Sequence, residues 1–316
     1  MKKSSLVWKT MLMTSAAAML LATTGCSSSA GAAADTTAAA STTAETTAAA
    51  SSAASSTAET TAASSAAGTT AAASAAAADG PTLTAIKEKG VLTVATGTYV
   101  PFEFRDDNNK IVGFDIDFAQ YIADKLGVTL EVTDMEFQSI VPSVQNGEYD
   151  FSIAAMYKTP ERCEVVDMSD SYCDSGMILA VKSGSDLETS VKTLADCNGL
   201  KIGVKEGATS YKEAQKYLDE HPDVKYEIVQ YKDTVGCVSD LLAGRVDVVV
   251  NDLLNQKELS KEYDGTVIVG EPFTHAENAI AVQKGKDDLL SFINQCIADY
   301  RADGTYDTLW AKWIEG

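Results

Sequence analysis

From residue 91 onward, short apolar runs alternate with amphipathic segments. Residues 91–95 and 128–132 are apolar runs of strand length. Between them Ile116, Ile122 and other apolar residues recur every three or four positions, which is typical of a helix with one buried face. Gly127 follows, where a helix often ends in a left-handed residue. This part of the sequence therefore predicts a strand–helix–strand unit.

The alternation continues to the end of the chain in two successive series. Further strands are predicted at 151–155, 177–181, 201–204, 226–229 and 245–250, extended segments at 111–114 and 279–282, and helices at 139–146, 210–220, 234–243 and 289–300. Such alternation is typical of an α/β protein whose mostly parallel sheets carry helices on both faces. Two series with extended segments between them predict two lobes with strands crossing between them. A cleft between lobes is where a small ligand would bind.

The amino terminus has a different pattern, which is typical of an export signal. Three lysines precede an apolar run at 11–22, which is too short to span a bilayer as a stable helix, and small residues follow the run. The exit reads Leu-Leu-Ala-Thr-Thr-Gly-Cys and ends at Cys26. It resembles the bacterial lipoprotein signal, in which the Cys becomes lipidated and then N-terminal. The alternative is an ordinary secretory signal in which Cys26 has no special role.

The segment after Cys26 cannot form a hydrophobic core. Residues 27–78 contain only five residues other than Ala, Ser or Thr, and they show no apolar periodicity. We therefore predict a signal peptide at 1–25 and, at 26–80, a lipidated Cys with a disordered tether rich in Ala, Ser and Thr. Folding is then confined to residues 81–316, which suits two lobes of about a hundred residues each.

Composition excludes several classes of function. The chain has 45 acidic and 25 basic residues and a net charge of -20, so it lacks the clustered cations that nucleic-acid binding requires. Two His residues argue against most His-rich metal sites, and we predict neither a metal nor a cofactor. Five cysteines follow Cys26 without a Cys-x-x-Cys spacing, so most are predicted to be buried hydrophobes. A bridge between Cys163 and Cys173 is left open.

Three segments carry residues suited to a charged ligand. Thr159-Pro160-Glu161-Arg162 follows a predicted strand and starts like a helix, and the Arg162 guanidinium can bind a carboxylate through two parallel hydrogen bonds. Its alternative role is an ion pair with a surface acid. Asp252 ends a buried strand, where it can accept a ligand ammonium or cap the next helix. The loop at 205–210 joins a strand to a helix and could hold an anion, but it lacks the ending of a nucleotide P-loop.

These segments lie in an order that resembles a known family over residues 83–316. The segments are Tyr-Val-Pro-Phe-Glu-Phe at 99–104, Val-Gly-Phe-Asp-Ile-Asp at 112–117, Thr-Pro-Glu-Arg at 159–162, Val-Asp-Met-Ser-Asp at 166–170, Gly-Val-Lys-Glu-Gly at 203–207, Gly-Arg-Val-Asp at 244–247 and Arg-Ala-Asp-Gly-Thr-Tyr at 301–306. Together they resemble the family 3 extracellular solute-binding proteins, the polar amino-acid receptors of ABC importers. The resemblance implies a two-lobed periplasmic-binding-protein type II fold. It also implies a free amino acid as ligand and an importer permease as partner.

The resemblance also implies roles for individual residues. Arg162 would bind the ligand α-carboxylate, helped by the amide of Thr209. Asp252 would receive the α-ammonium, with the carbonyl of Ala155 as a further acceptor. The remaining implied ligand-binding residues are the aromatic pair Tyr99 and Phe137, which would enclose the ligand side chain, and Lys205 and Asn251, which would reach a polar one.

One position departs from the family pattern. Five residues before Arg162 the family usually has Ser or Thr, whose hydroxyl touches the ligand carboxylate, whereas this chain has Tyr157. Tyr157 is therefore expected either to reshape the pocket or to turn away from it. Alternatively, Tyr99, Phe137 and Tyr157 are core residues.

The sequence as a whole predicts a monomeric, lipid-anchored receptor on the extracytoplasmic face of the cell membrane. Its first lobe is predicted at 81–177 and 279–316, and its second lobe at 178–278. Two alternatives come from other classes of protein: a ligand-sensing ectodomain that feeds a signalling partner, and a dehydratase-type enzyme on the same fold. Neither His221 nor His275 lies in a sequence context that suggests an acid–base site.

Overall fold

The structure is a computed structural model that describes residues 79–316. The predicted signal peptide, Cys26 and all but the last two residues of the predicted tether lie outside the described residues. In chain order the described strands are β1 (Val91–Thr96), β2 (Phe104–Arg105), β3 (Ile111–Val112), β4 (Thr129–Asp134), β5 (Phe151–Ser152), β6 (Asp167–Met168), β7 (Cys173–Ser175), β8 (Met177–Lys182), β9 (Lys201–Lys205), β10 (Glu227–Tyr231), β11 (Val248–Asp252), β12 (Thr266–Val269), β13 (Ala276–Asn278) and β14 (Ala281–Val282).

Helices cover much of the remaining chain in the described residues. They are α1 (Pro81–Lys89), α2 (Phe114–Leu126), α3 (Phe137–Gln145), α4 (Pro160–Val165), α5 (Leu187–Ser190), α6 (Thr209–Glu220), α7 (Thr234–Leu242), α8 (Leu253–Glu262), α9 (Asp287–Ala302) and α10 (Thr305–Trp313), with a 3₁₀ turn at Leu194–Cys197. The periodicity of the sequence predicted α2, α6, α7 and α9 to within two or three residues at each end. The short terminal helices α1 and α10 were not predicted.

The strands form two five-stranded sheets, and each sheet defines a lobe. The first sheet has the order β4-β1-β5-β14-β6, and the second has the order β10-β9-β11-β8-β12. In each sheet three neighbouring strands are parallel, and one returning strand, β14 or β8, pairs antiparallel with both of its neighbours. The sheets are therefore mixed, because each receives a strand that enters from the other lobe.

Two short strands carry the chain between the lobes. Strand β7 leads from the first sheet into β8 of the second, and β13 leads back into β14 of the first. The two strands pair antiparallel, with Ser175 opposite Ala276 and Cys173 opposite Asn278. Crossing strands were predicted from the sequence, but their positions were not: β7 and β13 lie outside the extended segments predicted at 111–114 and 279–282.

Each lobe has its own hydrophobic core. In the first lobe, Phe114 and Phe118 of α2 pack with Tyr172 and with Tyr300 of α9, and the ring centroids of Phe118 and Tyr300 are 4.2 Å apart. In the second lobe, the core lies between the sheet and its helices around buried aliphatic residues such as Val204. Burial of such side chains stabilises each lobe by roughly 1.5–3 kcal/mol per residue.

Two predicted strands differ from the observed ones for a tertiary reason. The strand predicted at 151–155 ends at Ser152, because Ala155 takes φ 45° while its N–H donates to the Asp115 carboxylate at 2.7 Å. The strand predicted at 245–250 begins only at Val248, because Arg245 N–H donates to the Asp240 carbonyl at 2.8 Å and closes a turn. Neither hydrogen bond is visible in a pattern of apolar residues.

All five described cysteines are free thiols, so Cys163 and Cys173 do not form a bridge in this structure. Four of them are buried, as predicted for small hydrophobic residues, and Cys163 is partly buried. Within residues 79–316, no helix has the length and apolar character needed to cross a bilayer.

Gly113 is the glycine whose replacement we expect to be most informative. Its φ is 135°, and a Cβ there would lie 2.2 Å from the Phe102 carbonyl oxygen. Gly113→Ala should therefore lower the free energy of unfolding by about 2–4 kcal/mol, measured by urea denaturation. Gly127→Ala is the matched control, because Gly127 also has a positive φ of 77° but has no atom within 4 Å of the added Cβ. It should cost only about 1 kcal/mol, and equal losses would contradict the steric argument.

Candidate functional site

A small cavity of about 30 Å³ lies where the two lobes face each other. Its walls come from segments at or just beyond the carboxyl ends of β1, β4 and β5 in the first sheet and of β9 and β11 in the second, together with the start of β8. Polar groups collect there because strand ends in α/β sheets open into loops and helix starts. The lining residues are Tyr99, Phe137, Ala154, Ala155, Tyr157, Arg162, Met177, Lys205, Ala208, Thr209, Ser210 and Asp252.

Arg162 reaches the cavity from the short helix α4. Thr159 caps that helix, its hydroxyl accepting the Arg162 N–H at 3.4 Å, and Pro160 occupies the first turn. The guanidinium is buried, donates to the Tyr157 carbonyl at 2.6 Å and lies 5.5 Å from the centre of the Phe137 ring. No described carboxylate forms an ion pair with it. Burial lowers the pKa of Arg162 to about 10, so the group stays cationic at neutral pH.

Asp252 faces the same cavity from the second lobe, at the junction of β11 and α8. Its Oδ1 accepts the N–H groups of Leu254 at 2.8 Å and Asn255 at 3.1 Å, so the carboxylate caps α8. Its Oδ2 accepts the Tyr157 phenol hydrogen. Burial raises the pKa of Asp252, an effect that these hydrogen bonds oppose. The sequence left a choice between capping and ligand binding, and this geometry allows both, because capping occupies only Oδ1.

Tyr157, the departure from the family pattern, turns into the cavity and joins the lobes. It follows β5 of the first lobe, yet its ring packs in the core of the second and its hydroxyl reaches Asp252. A Ser or Thr at this position is too short to make that contact. Burial raises the pKa of Tyr157, so the phenol keeps its proton. The larger residue therefore orients the carboxylate of the opposite lobe.

The aromatic residues Tyr99 and Phe137 form one end of the cavity. The Lys205 ammonium lies between them, 4.6 Å from the centre of the Tyr99 ring and 4.5 Å from that of Phe137. The two aromatic residues belong to the first lobe and Lys205 to the second. Both rings present a π face to a cation, which is an attractive arrangement.

Asn251 does not line the cavity, unlike the other residues expected to contact the ligand. Its Oδ1 accepts the Tyr99 hydroxyl at 2.8 Å, and its Nδ2 donates to Asn255 at 2.8 Å and to Gln256 at 3.1 Å. All of its side-chain atoms are thus engaged by protein groups. The structure places Asn251 behind the aromatic wall, where it holds the Tyr99 hydroxyl.

A buried pair of acids supports the cavity wall from behind. Asp115 Oδ2 accepts the Ala155 N–H at 2.7 Å and the Tyr172 hydroxyl at 2.9 Å, which holds Ala155 at its unusual positive φ. Burial raises the pKa of Asp115 to about 6 and, together with the neighbouring Asp115 charge, raises that of Glu103 well above its ordinary value. This pair was not predicted from the sequence, although the segments at 99–104 and 112–117 that carry the resemblance contain both acids.

Four more lining residues were also missed. Met177 begins a strand that the sequence predicted correctly, but its side chain gave no sign of facing a ligand. Ala154, Ala208 and Ser210 adjoin the predicted residues Ala155 and Thr209 and reach the cavity through their position in the loops. Ala208 and Ser210 lie within the loop at 205–210, which the sequence predicted as a possible anion site, so they were missed only as individual ligand contacts.

The two lobes also contact each other outside the cavity. Asn255 donates to the Val100 carbonyl at 2.5 Å, the Lys232 ammonium lies 3.1 Å from a carboxylate oxygen of Glu136, and Lys212 lies 3.5 Å from one of Glu161. The side chains of both ion pairs are largely exposed, and such pairs contribute little. The closed arrangement therefore depends mainly on the buried contacts around Tyr99 and Tyr157.

Comparison with known proteins agrees with this fold. The profile of the bacterial extracellular solute-binding proteins, family 3, matches residues 92–316. The L-cystine-binding protein of Escherichia coli (strain K12) is 35% identical over 239 residues, which cover 75% of this chain and 87% of that protein. The ABC transporter arginine-binding protein 1 of the same strain is 33% identical over 225 residues, covering 69% and 88%.

Among solved structures, an ancestral arginine-binding protein bound to arginine is 39% identical with a TM-score of 0.66, and the match covers 71% of this chain and 98% of that one. The two-lobed periplasmic-binding-protein type II fold predicted from the sequence is thereby confirmed. The chain belongs to the bacterial extracellular solute-binding proteins, family 3.

The hydrogen bond between Tyr157 and Asp252 leads to a pH-dependent prediction. Tyr157→Phe removes the donor to a buried carboxylate, so the free energy of unfolding should fall by about 1–3 kcal/mol at neutral pH. The loss should shrink as the pH falls through the raised pKa of Asp252, because the protonated carboxyl needs no third donor. Urea denaturation at several pH values measures this difference.

Tyr226→Phe is the control for that series. The Tyr226 hydroxyl is also buried, but it donates to the neutral Ala214 carbonyl at 2.7 Å. Its loss should therefore cost about 1 kcal/mol, with no dependence on pH in the acid range. A Tyr157→Phe loss that is equally flat with pH would show that Asp252 is not the group concerned.

Proposed function

We propose that this protein captures a free amino acid between its two lobes and delivers it to the permease of an ABC importer. The observation that carries the proposal is the pair of opposite charges in the cavity. A buried cation, Arg162, comes from the first lobe and a buried anion, Asp252, from the second, and the two are not paired with each other. A zwitterion supplies the missing partner to both.

In this proposal the guanidinium of Arg162 binds the α-carboxylate, assisted by the Thr209 amide at the start of α6. Asp252 Oδ2 and the Ala155 carbonyl receive the α-ammonium. A ligand that lacks one of these charges would leave a protein charge unpaired in a buried site, which costs several kcal/mol. The names of the relatives support the ligand class, since they describe binding proteins for L-cystine and arginine.

The arrangement couples binding to lobe closure. Because the two charges come from different lobes, only the closed form presents both to one ligand. The short crossing strands β7 and β13 are the candidate hinge, since they are the strands that pass between the sheets. We propose the lobe boundaries at 177/178 and 278/279 on this basis, with 81–177 and 279–316 as the first lobe.

We also propose that the ligand is bound without chemical conversion. One structural neighbour is an ancestral amino acid-binding protein described as a precursor of cyclohexadienyl dehydratase, with 33% identity, a TM-score of 0.68 and coverage of 74% and 99%. That neighbour is thus a binding protein that preceded an enzyme. Mass spectrometry of the ligand after incubation tests the point, because recovery of unchanged amino acid is expected and a dehydrated product would contradict it.

Arg162→Met should abolish the response to amino acids without destabilising the apoprotein. Methionine keeps much of the side-chain volume and removes an unpaired buried charge, so the apo melting temperature should stay equal or rise. Thermal shift with the twenty amino acids and cystine measures both effects, and isothermal calorimetry gives the affinity of the best ligand. Arg301→Met is the control, because Arg301 is an exposed arginine on α9 whose Nη2 donates to the Ser171 carbonyl at 3.2 Å.

Two results would overturn the proposal. If no amino acid shifts the melting temperature of the unaltered protein, capture of a free amino acid is wrong. If Arg162→Met keeps the full shift, the carboxylate is held by another group and the assigned site is wrong.

We further propose that Cys26 is lipidated and that the segment at 26–80 tethers the folded part to the outer face of the cell membrane. The support is the sequence at the exit of the signal, Leu-Leu-Ala-Thr-Thr-Gly-Cys. Cys26→Ser should move the protein from the membrane fraction to the soluble fraction. Immunoblotting of fractionated cells measures this shift. Cys163→Ser is the control and should stay with the membrane; membrane retention of Cys26→Ser would exclude the anchor.

A further inference from the structure

The Lys205 ammonium is a buried cation for which the described residues provide no hydrogen-bond acceptor. The residue is 5% exposed, lines the cavity and lies at the carboxyl end of β9. Its backbone N–H donates to the Ser210 hydroxyl at 3.3 Å, whereas its ammonium faces the cavity and forms no hydrogen bond to a described residue. An ammonium has three hydrogens to donate, so one that faces a cavity without protein acceptors is available to an acceptor group of a ligand.

The nearby acid does not complete it. Glu103 is the acid that could accept a hydrogen bond from the Lys205 ammonium. Neither of its carboxylate oxygens has a hydrogen-bond partner among the described residues, so neither accepts from Lys205. Burial and the adjacent Asp115 raise the pKa of Glu103 well above its ordinary value and outweigh the opposing effect of the Lys205 charge, which favours the neutral form of Glu103. The ion pairs of the described residues do not include Lys205.

Lys205 also decides what can enter the aromatic end of the cavity. If Arg162 and Asp252 bind the zwitterionic head, the wall left for the ligand side chain includes Tyr99, Phe137 and Lys205. The two rings would suit a cationic side chain, but the protein's own ammonium already lies 4.6 Å and 4.5 Å from their centres. A second cation there would meet a like charge in a buried site, which is strongly unfavourable.

The charges that face the cavity are therefore two cations, Arg162 and Lys205, and one carboxylate, Asp252. We infer that the ligand is an amino acid that carries a second carboxylate beyond its α-carboxylate, that Lys205 binds this second carboxylate, and that cationic amino acids are rejected. The inference rests on the proposed function and extends it from amino acids in general to one class. The inferred ligand class differs from that of the arginine-binding structural neighbours, although their sequences and folds are similar.

Calorimetric titration of the unaltered protein gives the first test. L-Glutamate and L-aspartate represent the proposed class, L-glutamine replaces the second carboxylate with an amide, L-norleucine is apolar, and L-lysine and L-arginine are cationic. L-Cystine also carries a second carboxylate, but its far half carries an ammonium as well, so it is titrated as a separate case. We expect the tightest ligand to be an amino acid with a second carboxylate, with glutamine weaker and lysine weaker than its neutral analogue norleucine.

Lys205→Met gives the second test, because it removes the ammonium and keeps a similar side-chain length. The affinity for the tightest dicarboxylic ligand should fall about 10- to 100-fold, the loss expected for a charge-assisted hydrogen bond. Lysine and arginine should bind the variant as well as or better than they bind the unaltered protein. Lys201→Met is the matched control: it makes the same charge change at the other end of β9, where Lys201 is exposed and lies 3.5 Å from Glu227. It should leave every affinity within about twofold.

The outcomes separate this inference from the proposed function. Binding of arginine or lysine as tight as that of any dicarboxylic amino acid would overturn the inference and leave amino-acid capture standing. An unchanged dicarboxylate affinity in Lys205→Met would do the same. Absence of binding by every amino acid tested would overturn the proposed function instead. If Lys205→Met does not fold, the ligand ranking of the unaltered protein still decides the question.

Discussion

The free energy cost of burying unpaired charges determines which ligands this cavity can bind. A guanidinium, an ammonium and a carboxylate line the same space, and none of the three forms an ion pair among the described residues. Each loses water on burial, and their pKa values move accordingly: those of Arg162 and Lys205 fall and that of Asp252 rises. Such a site is unfavourable until a complementary ligand fills it. A ligand that pairs with these charges therefore adds to the contacts that hold the lobes closed.

The fold is what keeps those charges apart. Arg162 depends on the first sheet and Asp252 on the second, and the lobes are linked through the short strands β7 and β13. Each group is held locally: Arg162 by the Tyr157 carbonyl, Asp252 by two amides of α8. Because each is satisfied within or next to its own element, neither needs the other for its position. Because the two charges are held apart, both can bind a ligand.

Tyr157 shows how one substitution can change the mechanics of such a site. Where Ser or Thr would touch the ligand directly, the longer phenol reaches across the cleft to Asp252. The lobes are thereby joined by a buried hydrogen bond to a charged group, the kind of hydrogen bond that contributes most. Tyr99 makes a second contact across the cleft through Asn251 at 2.8 Å. The lobes can therefore close on protein contacts as well as on the ligand.

Local pattern determined much of this protein. Apolar periodicity predicted α2, α6, α7 and α9 and the strands around them. Each of these elements buries apolar side chains in a core, and this burial produces a periodic pattern among residues close together in the sequence. It also placed Arg162, Asp252 and Lys205 at strand ends, where α/β sheets expose their loops. The order of the motifs then predicted the family and the two-lobed fold.

Tertiary structure alone decided how these parts meet. Nothing local shows that Asn251 turns to Tyr99 rather than to the cavity, that Asp115 holds the Ala155 amide from 40 residues away, or that Lys205 lies between two rings of the other lobe. These contacts join residues far apart in the chain, so their geometry depends on the packing of two sheets and not on the sequence near each residue. The positions of these residues near the cleft were predictable because strand ends in α/β sheets open toward it. Their partners were not predictable, since partners depend on distance in space.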